Sequence, residues 1–192
     1  MKNKKILTGI IALQVVMLCG MFFSFFYPIL VGKEIKLKVR GYDPRDIFRG
    51  DYVNLAYDFS DINLDSIKHD VKKGENFVYG DVFYVELTAD EKGYHAPVGI
   101  WKEKPSNGNM FVKTVTQSFY NSNYEDSIGV HGQLSLKAGI ESYFASPEKA
   151  QEIEKILQNN DTTVVIESYI FAKVADNGVV RITNVDYKKL KK

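Results

Sequence analysis

Between Arg40 and Phe59 the chain reads RGYDPRDIFRGDYVNLAYDF, and this stretch holds the side chains best suited to recognition chemistry. The protein has four arginines, Arg40, Arg45, Arg49 and Arg181, beside 21 lysines, and three of the four fall within the first ten residues of this stretch. A chain that uses lysine for general solubility and arginine here calls for the planar guanidinium fork, which grips carboxylates or phosphates through two parallel hydrogen bonds. Asp43, Asp46 and Asp51 are interleaved with the arginines. Two kinds of chemistry follow. In one, Asp51 accepts from Arg45 or Arg49 and from loop amides, fixing how two strands pair. In the other, Arg45, Arg49, Asp51 and Tyr52 form a binding surface, with Asp43 and Asp46 orienting the arginines toward an acidic group on a partner protein, a lipid head group or a cell-envelope polymer. Pro44 holds Asp43 extended, and Gly50 can take a backbone conformation denied to residues with a side chain.

Catalytic patterns are harder to find. His69, His95 and His131 are far apart, with none of the short spacings that build a metal site. The single cysteine, Cys19, lies in an apolar run, so no internal disulfide is available. Gly129-Val130-His131-Gly132 lacks the spacing of a phosphate loop. No nucleophile–base pair stands out, and no cofactor or metal is expected. Net charge is +1, and −2 once the three lysines before the apolar run are set aside, which is no nucleic-acid footprint.

These residues must be positioned by what surrounds them. Ile6 to Gly32 is free of charge, and as a helix it extends about 40 Å, enough to cross a hydrocarbon layer of about 30 Å. Bulky Ser24-Phe25-Phe26-Tyr27-Pro28 does not resemble a signal-peptide cleavage site, and Leu18 is too large for lipidation at Cys19. The expected organisation is a short cytoplasmic tail over 1–5, a transmembrane anchor over 6–32 and an extracytoplasmic domain over 33–192. Basic residues flank both ends of the span, so orientation rests on the short cationic amino-terminal tail staying inside.

Beyond the anchor the hydrophobic period becomes two. Ile35, Leu37 and Val39 alternate with lysines, as in a half-buried strand. Val53, Leu55, Tyr57 and Phe59 fall on one face of a following strand, and Tyr52, Asn54 and Ala56 on the other. Tyr57 is therefore expected in the core. Residues 61–73 carry Ile62, Leu64, Ile67 and Val71 at near-helical spacing, with Gly74 as terminator, and Ser146-Pro147 opens a second helix. Strands are expected over 81–87, 94–101, 110–119 and 128–136. Pro97 marks an edge or a bulge. A last pair, 162–174 and 179–185, is joined at Asn177-Gly178. The fold class is mainly β with minor α (α+β): one transmembrane helix and a β-rich, barrel-like or folded-sheet domain with one or two short helices. The domain starts almost at the membrane, which brings the arginine loop near lipid or a membrane partner.

At its centre the stretch resembles the GDYXXLXY family of bacterial membrane-anchored proteins: Gly50-Asp51-Tyr52, then Leu55, then Tyr57, preceded by Asp43-Pro44-Arg45-Asp46-Ile47-Phe48-Arg49. Glu141-Ser142-Tyr143-Phe144 followed by Pro147-Glu148 is similar to a second family block, so Glu141 and Tyr143 join the structural candidates. The resemblance implies the bacterial cytoplasmic membrane, relatives often encoded beside polytopic membrane proteins, and hence an integral membrane partner; it carries no catalytic assignment. A fainter similarity, Pro44 with Gly50-Asp51 and then Gly80-Asp81, is to membrane-anchored signal peptidases, which implies a hydrolase or an inactive relative as the alternative. The serine those enzymes place before the proline is absent, since Gly41-Tyr42-Asp43 stands there.

Overall fold

Lys33–Gly41 forms strand β1, with Ile35, Leu37 and Val39 buried and the intervening lysines half-exposed. It follows helix α1, Lys2–Val31, with only Gly32 between them. The structure, a computed structural model, describes residues 2–41, 52–106, 108–121, 131–144 and 164–191. Within them β2 (Tyr52–Tyr57), β3 (Asp61–Asn63), β4 (Lys68–His69), β5 (Val82–Ala89), β6 (His95–Trp101), β7 (Met110–Asn121), β8 (Gly132–Lys137), β9 (Ser142–Phe144), β10 (Val164–Val174) and β11 (Val180–Lys191) follow in order. One sheet runs β11-β10-β1-β2-β9 and the other β3-β8-β7-β5-β6-β4, antiparallel except for β4 beside β6. The domain is mostly β, with barrel-like sheets, as the period-two patterning predicts.

The two sheets are joined by a bent ladder. β2 pairs with β9 from Tyr52–Phe144 to Asn54–Ser142, and β3 pairs with β8 from Asp61–Ser135 to Asn63–Gln133. Between them Leu55 N donates to Glu141 O and Leu136 N to Ser60 O, each at 2.7 Å, so the register continues through the bend. Leu55, Tyr57, Phe59, Ile62, Leu134, Leu136 and Ile140 enter one core from this ladder. Each such side chain, fully buried, contributes roughly 1.5–3 kcal/mol relative to exposure, so the bend is set by apolar residues on its inner side.

One expected helix is absent. Residues 61–73 contain β3, a three-residue 3-10 turn at Leu64–Ser66 and β4 in place of an amphipathic helix. Ile62, Leu64 and Val71 are buried as the spacing requires, but without an α-helix: Ile62 pairs opposite Leu134, and the Asn63 side chain accepts from Asp65 N at 2.9 Å and turns the chain at Leu64. The sheet's ladder bonds outcompete a short helix with marginal stability of its own. The helix expected from Ser146-Pro147 lies outside the described residues. Pro97 sits at a bulge, since Glu86 pairs with Gly99 and Leu87 with Pro97, leaving Val98 unmatched.

A seam brings β1 near the β5–β6 hairpin. Lys36 N donates to His95 Nδ1 at 3.2 Å, which requires the ring proton on Nε2. Above it the Lys36 ammonium lies 4.3 Å from the Tyr94 ring centre and 3.8 Å from that of Tyr169. Lys113 N donates to Gly178 O at 2.8 Å, joining β7 to the β10–β11 turn.

Candidate functional site at the motif strand

Leu55 and Tyr57 form the inner half of the motif, each about 3% exposed. Their alternation with Asn54 and Ala56 turns them into the core. The Tyr57 hydroxyl donates to Ile140 O at 2.6 Å, and its ring stacks on Phe59 with centres 5.1 Å apart. Burial first, and the charge of Glu141 second, push the phenol well above its ordinary range, so it stays a neutral donor. Tyr57 N donates to Ser60 Oγ at 3.0 Å, closing the turn that leads into β3. Ser60 is thus a turn-former, with backbone partners for both its hydroxyl and its carbonyl.

Glu141 works on the facing strand. Its carboxylate accepts from Ala138 N at 2.6 Å and from Gly139 N at 3.0 Å, while its carbonyl receives Leu55 N. It therefore shapes the β8–β9 turn, and through that turn the strand that pairs with β2. Tyr143 is half-buried on β9, packs against the core and stands opposite Val53. The segment Ser142–Phe144 lies next to the GDYXXLXY strand because β9 pairs directly with β2.

Arg45, Arg49, Asp51, Asp43, Asp46 and Gly50 lie outside the described residues, as does the side chain of Tyr52, whose backbone faces Phe144 at the start of β2. The strand ends on either side are described. β1 and β2 pair over Val39–Tyr57, Arg40–Ala56 and Gly41–Leu55. Arg40, the first arginine of the stretch, places Nη2 2.8 Å from Asp58 Oδ1 across this pair. Exposed ion pairs of this kind contribute about 0–1 kcal/mol, so Arg40 tidies the strand pair more than it stabilises it. The nine residues of β1, Lys33–Gly41, extend about 26 Å from first to last, carrying the chain from the end of α1 out to the arginine stretch.

The histidines do not converge. His131 pairs with Asp65, His95 accepts from Lys36 N, and His69 has a buried Nδ1 with no hydrogen-bond partner. Among the described residues no group of three potential ligands could hold a metal ion. The second Gly-Asp pair builds a turn into β5: Gly80 adopts a positive φ of 97°, Asp81 Oδ2 accepts from Val78 N at 2.8 Å, and Asp81 O accepts from Thr116 N.

Two constellations escaped the sequence reading. One is the set of aromatic rings around Lys36, drawn from positions 94, 169 and 171, which only the topology brings together. The other is the contact between α1 and the β10–β11 hairpin, where Arg181 lies over Phe25 and Lys173 Nζ donates to Ile29 O at 2.8 Å. Its signal was present in the sequence, since Arg181 is the fourth arginine of a lysine-rich chain.

A family model described as GDYXXLXY protein matches residues 14–185, which takes in α1 from Gln14 onward, β2, β9 and nearly all of the β-domain. Comparison with curated proteins and with solved structures gives no match.

Proposed function

We propose, from the premise that the chain belongs to the GDYXXLXY family, that it is a membrane-anchored accessory protein. In this reading α1 crosses the bacterial cytoplasmic membrane, residues 1–5 stay inside, and the domain from residue 33 onward works outside. It binds an integral membrane partner through Arg45, Arg49, Asp51 and Tyr52. Helix α1 is long and apolar enough to span a membrane, and its apolar side chains are exposed along most of its length.

The observation that carries the reading is a division of labour within the motif. Leu55 and Tyr57 are buried, Glu141 shapes the turn opposite them, and β2 is paired to β1 on one side and to β9 on the other. A strand held this firmly gives the adjoining arginine stretch fixed ends, which lowers the ordering cost of binding. The helix geometry adds to this. Phe25 meets β11, Ile29 meets β10 and Gly32 leads into β1, so the end of α1 runs across the strands of this sheet. A helix standing along the bilayer normal would then lay β1 along the membrane surface, keeping the arginine stretch within reach of a membrane protein's external loops.

The test is copurification in mild detergent of the wild type, Arg45→Lys and Arg49→Lys, each with its thermal unfolding midpoint checked. Lysine keeps the charge and removes the fork. Loss of a membrane protein from either folded variant supports recognition by this stretch. Unchanged copurification assigns the stretch a structural role and sends the search for a partner surface elsewhere.

A further inference from the structure

We propose that the junction of α1 with the β10–β11 hairpin binds the phosphate of an anionic phospholipid headgroup, with Arg181 as its main ligand and Lys173 and Lys33 beside it. The proposal rests on reading α1 as a membrane anchor, and it concerns a surface separate from the arginine stretch.

Depth along the helix is the first argument. Ile6 to Phe25 is a run of 20 residues, or about 30 Å of helix, which equals a hydrocarbon layer. Side chains up to Phe25 are exposed, whereas Pro28 is buried and Phe26 and Ile29 are half-buried against the domain. The apolar length is thus complete where the domain begins to cover the helix, and the turns after Phe25 fall at headgroup level. Arg181 sits at that boundary, its guanidinium carbon 4.9 Å from the centre of the Phe25 ring. The aromatic face holds the guanidinium plane.

Charge placement is the second. Lys173 and Arg181 are directly opposite each other on β10 and β11, so their side chains share a face. Like charges at such a pair are destabilising unless an anion or a local acceptor offsets them. The Lys173 ammonium has one such acceptor in Ile29 O, and Arg181 Nη1 donates to Val180 O at 2.9 Å. Arg181 Nε is buried and has no hydrogen-bond partner among the described residues. Lys33, exposed at the start of β1, extends the basic row into a cleft of about 470 Å³ that it shares with Lys104. Glu34, opposite Lys173 on β1, and Asp176, on the cleft wall, are the nearby acids, yet among the described residues none of the three cations forms an ion pair. A planar donor with open valences beside two ammonium groups suits a phosphate, and here the phosphates at hand are those of the lipid.

The experiment uses the full chain in detergent with equimolar phosphatidylglycerol and phosphatidylcholine, and counts retained lipids by native mass spectrometry. Arg181→Gln is compared with Arg181→Lys and with Lys137→Gln, an exposed β8 residue that carries the same charge change. The wild type should retain phosphatidylglycerol in preference, Arg181→Gln should lower that retention about fivefold, and Lys137→Gln should leave it unchanged. Equal retention of the two lipids by the wild type overturns the proposal without reference to any variant. Equal loss in Arg181→Gln and Lys137→Gln overturns it in favour of diffuse charge attraction. Displacement of the lipid by millimolar inorganic phosphate overturns the lipid source and makes the ligand a free anion. Flotation with liposomes separates the premises: a chain that fails to float removes the anchor reading, while one that floats without lipid preference removes this site alone.

Discussion

The Tyr57 hydroxyl is committed inside the fold, where it donates to Ile140 O and cannot reach a partner. Tyr57→Phe keeps the ring and its stacking on Phe59 while leaving Ile140 O without that donor, so it should cost about 1–2 kcal/mol. Leu55→Ala, which empties core volume, should cost more, about 2–5 kcal/mol. Urea unfolding measures both. A Tyr57→Phe midpoint equal to that of the wild type would mean the hydroxyl contributes nothing to stability. Alternation alone made this residue legible, because a strand with one buried face sends every second side chain inward. Glu141 was legible only as the first residue of a segment similar to a family block. Its role as acceptor for Ala138 N and Gly139 N depends on a turn whose shape no spacing announces.

At the scale of elements, the Asn177-Gly178 turn shows why some signals in the chain were easy to read. Gly178 has φ of 81°, and a Cβ added there would lie 2.9 Å from Lys113 N and 2.9 Å from the Phe111 ring. Gly139 has φ of 79° with open space around it. Both positions charge an alanine the left-handed backbone penalty, roughly 1–2 kcal/mol, but only Gly178 adds a clash with β7. Gly178→Ala should therefore destabilise the protein by at least about 1 kcal/mol more than Gly139→Ala in thermal or urea unfolding; equal losses would show that the turn can move away from β7. Local backbone demands of this kind are written in local sequence. The segment 61–73 was misread for the converse reason. Its apolar residues do face the core, but the decision between helix and strand is made by β8, whose residues 133–135 lie some seventy positions away. The bent ladder from β2–β9 to β3–β8 was likewise invisible, since each strand carries only its own alternation and not the identity of its partner.

For the molecule as a whole, the seam between β1 and the β5–β6 hairpin is where the folded sheet comes closest to closing. Lys36 lies between the Tyr94 and Tyr169 rings, Lys38 Nζ stands 3.8 Å from Glu167 Oε1, and the Tyr94 hydroxyl donates to Glu167 Oε2 at 3.2 Å. Burial of the phenol, then the negative charge of Glu167, pushes Tyr94 from 10.0 up to about 12. The folded state thus holds this proton more tightly than the unfolded chain does. The stability contributed by that difference is fully present below pH 10 and is lost as pH rises from 10 toward 12. Tyr94→Phe tests this, since it keeps the ring over Lys36 and removes the titrating hydroxyl. The variant should be less stable than the wild type at neutral pH, and the gap should narrow between pH 10 and 12 in thermal unfolding. A gap that stays constant across that range would mean that Tyr94 does not titrate between the two states.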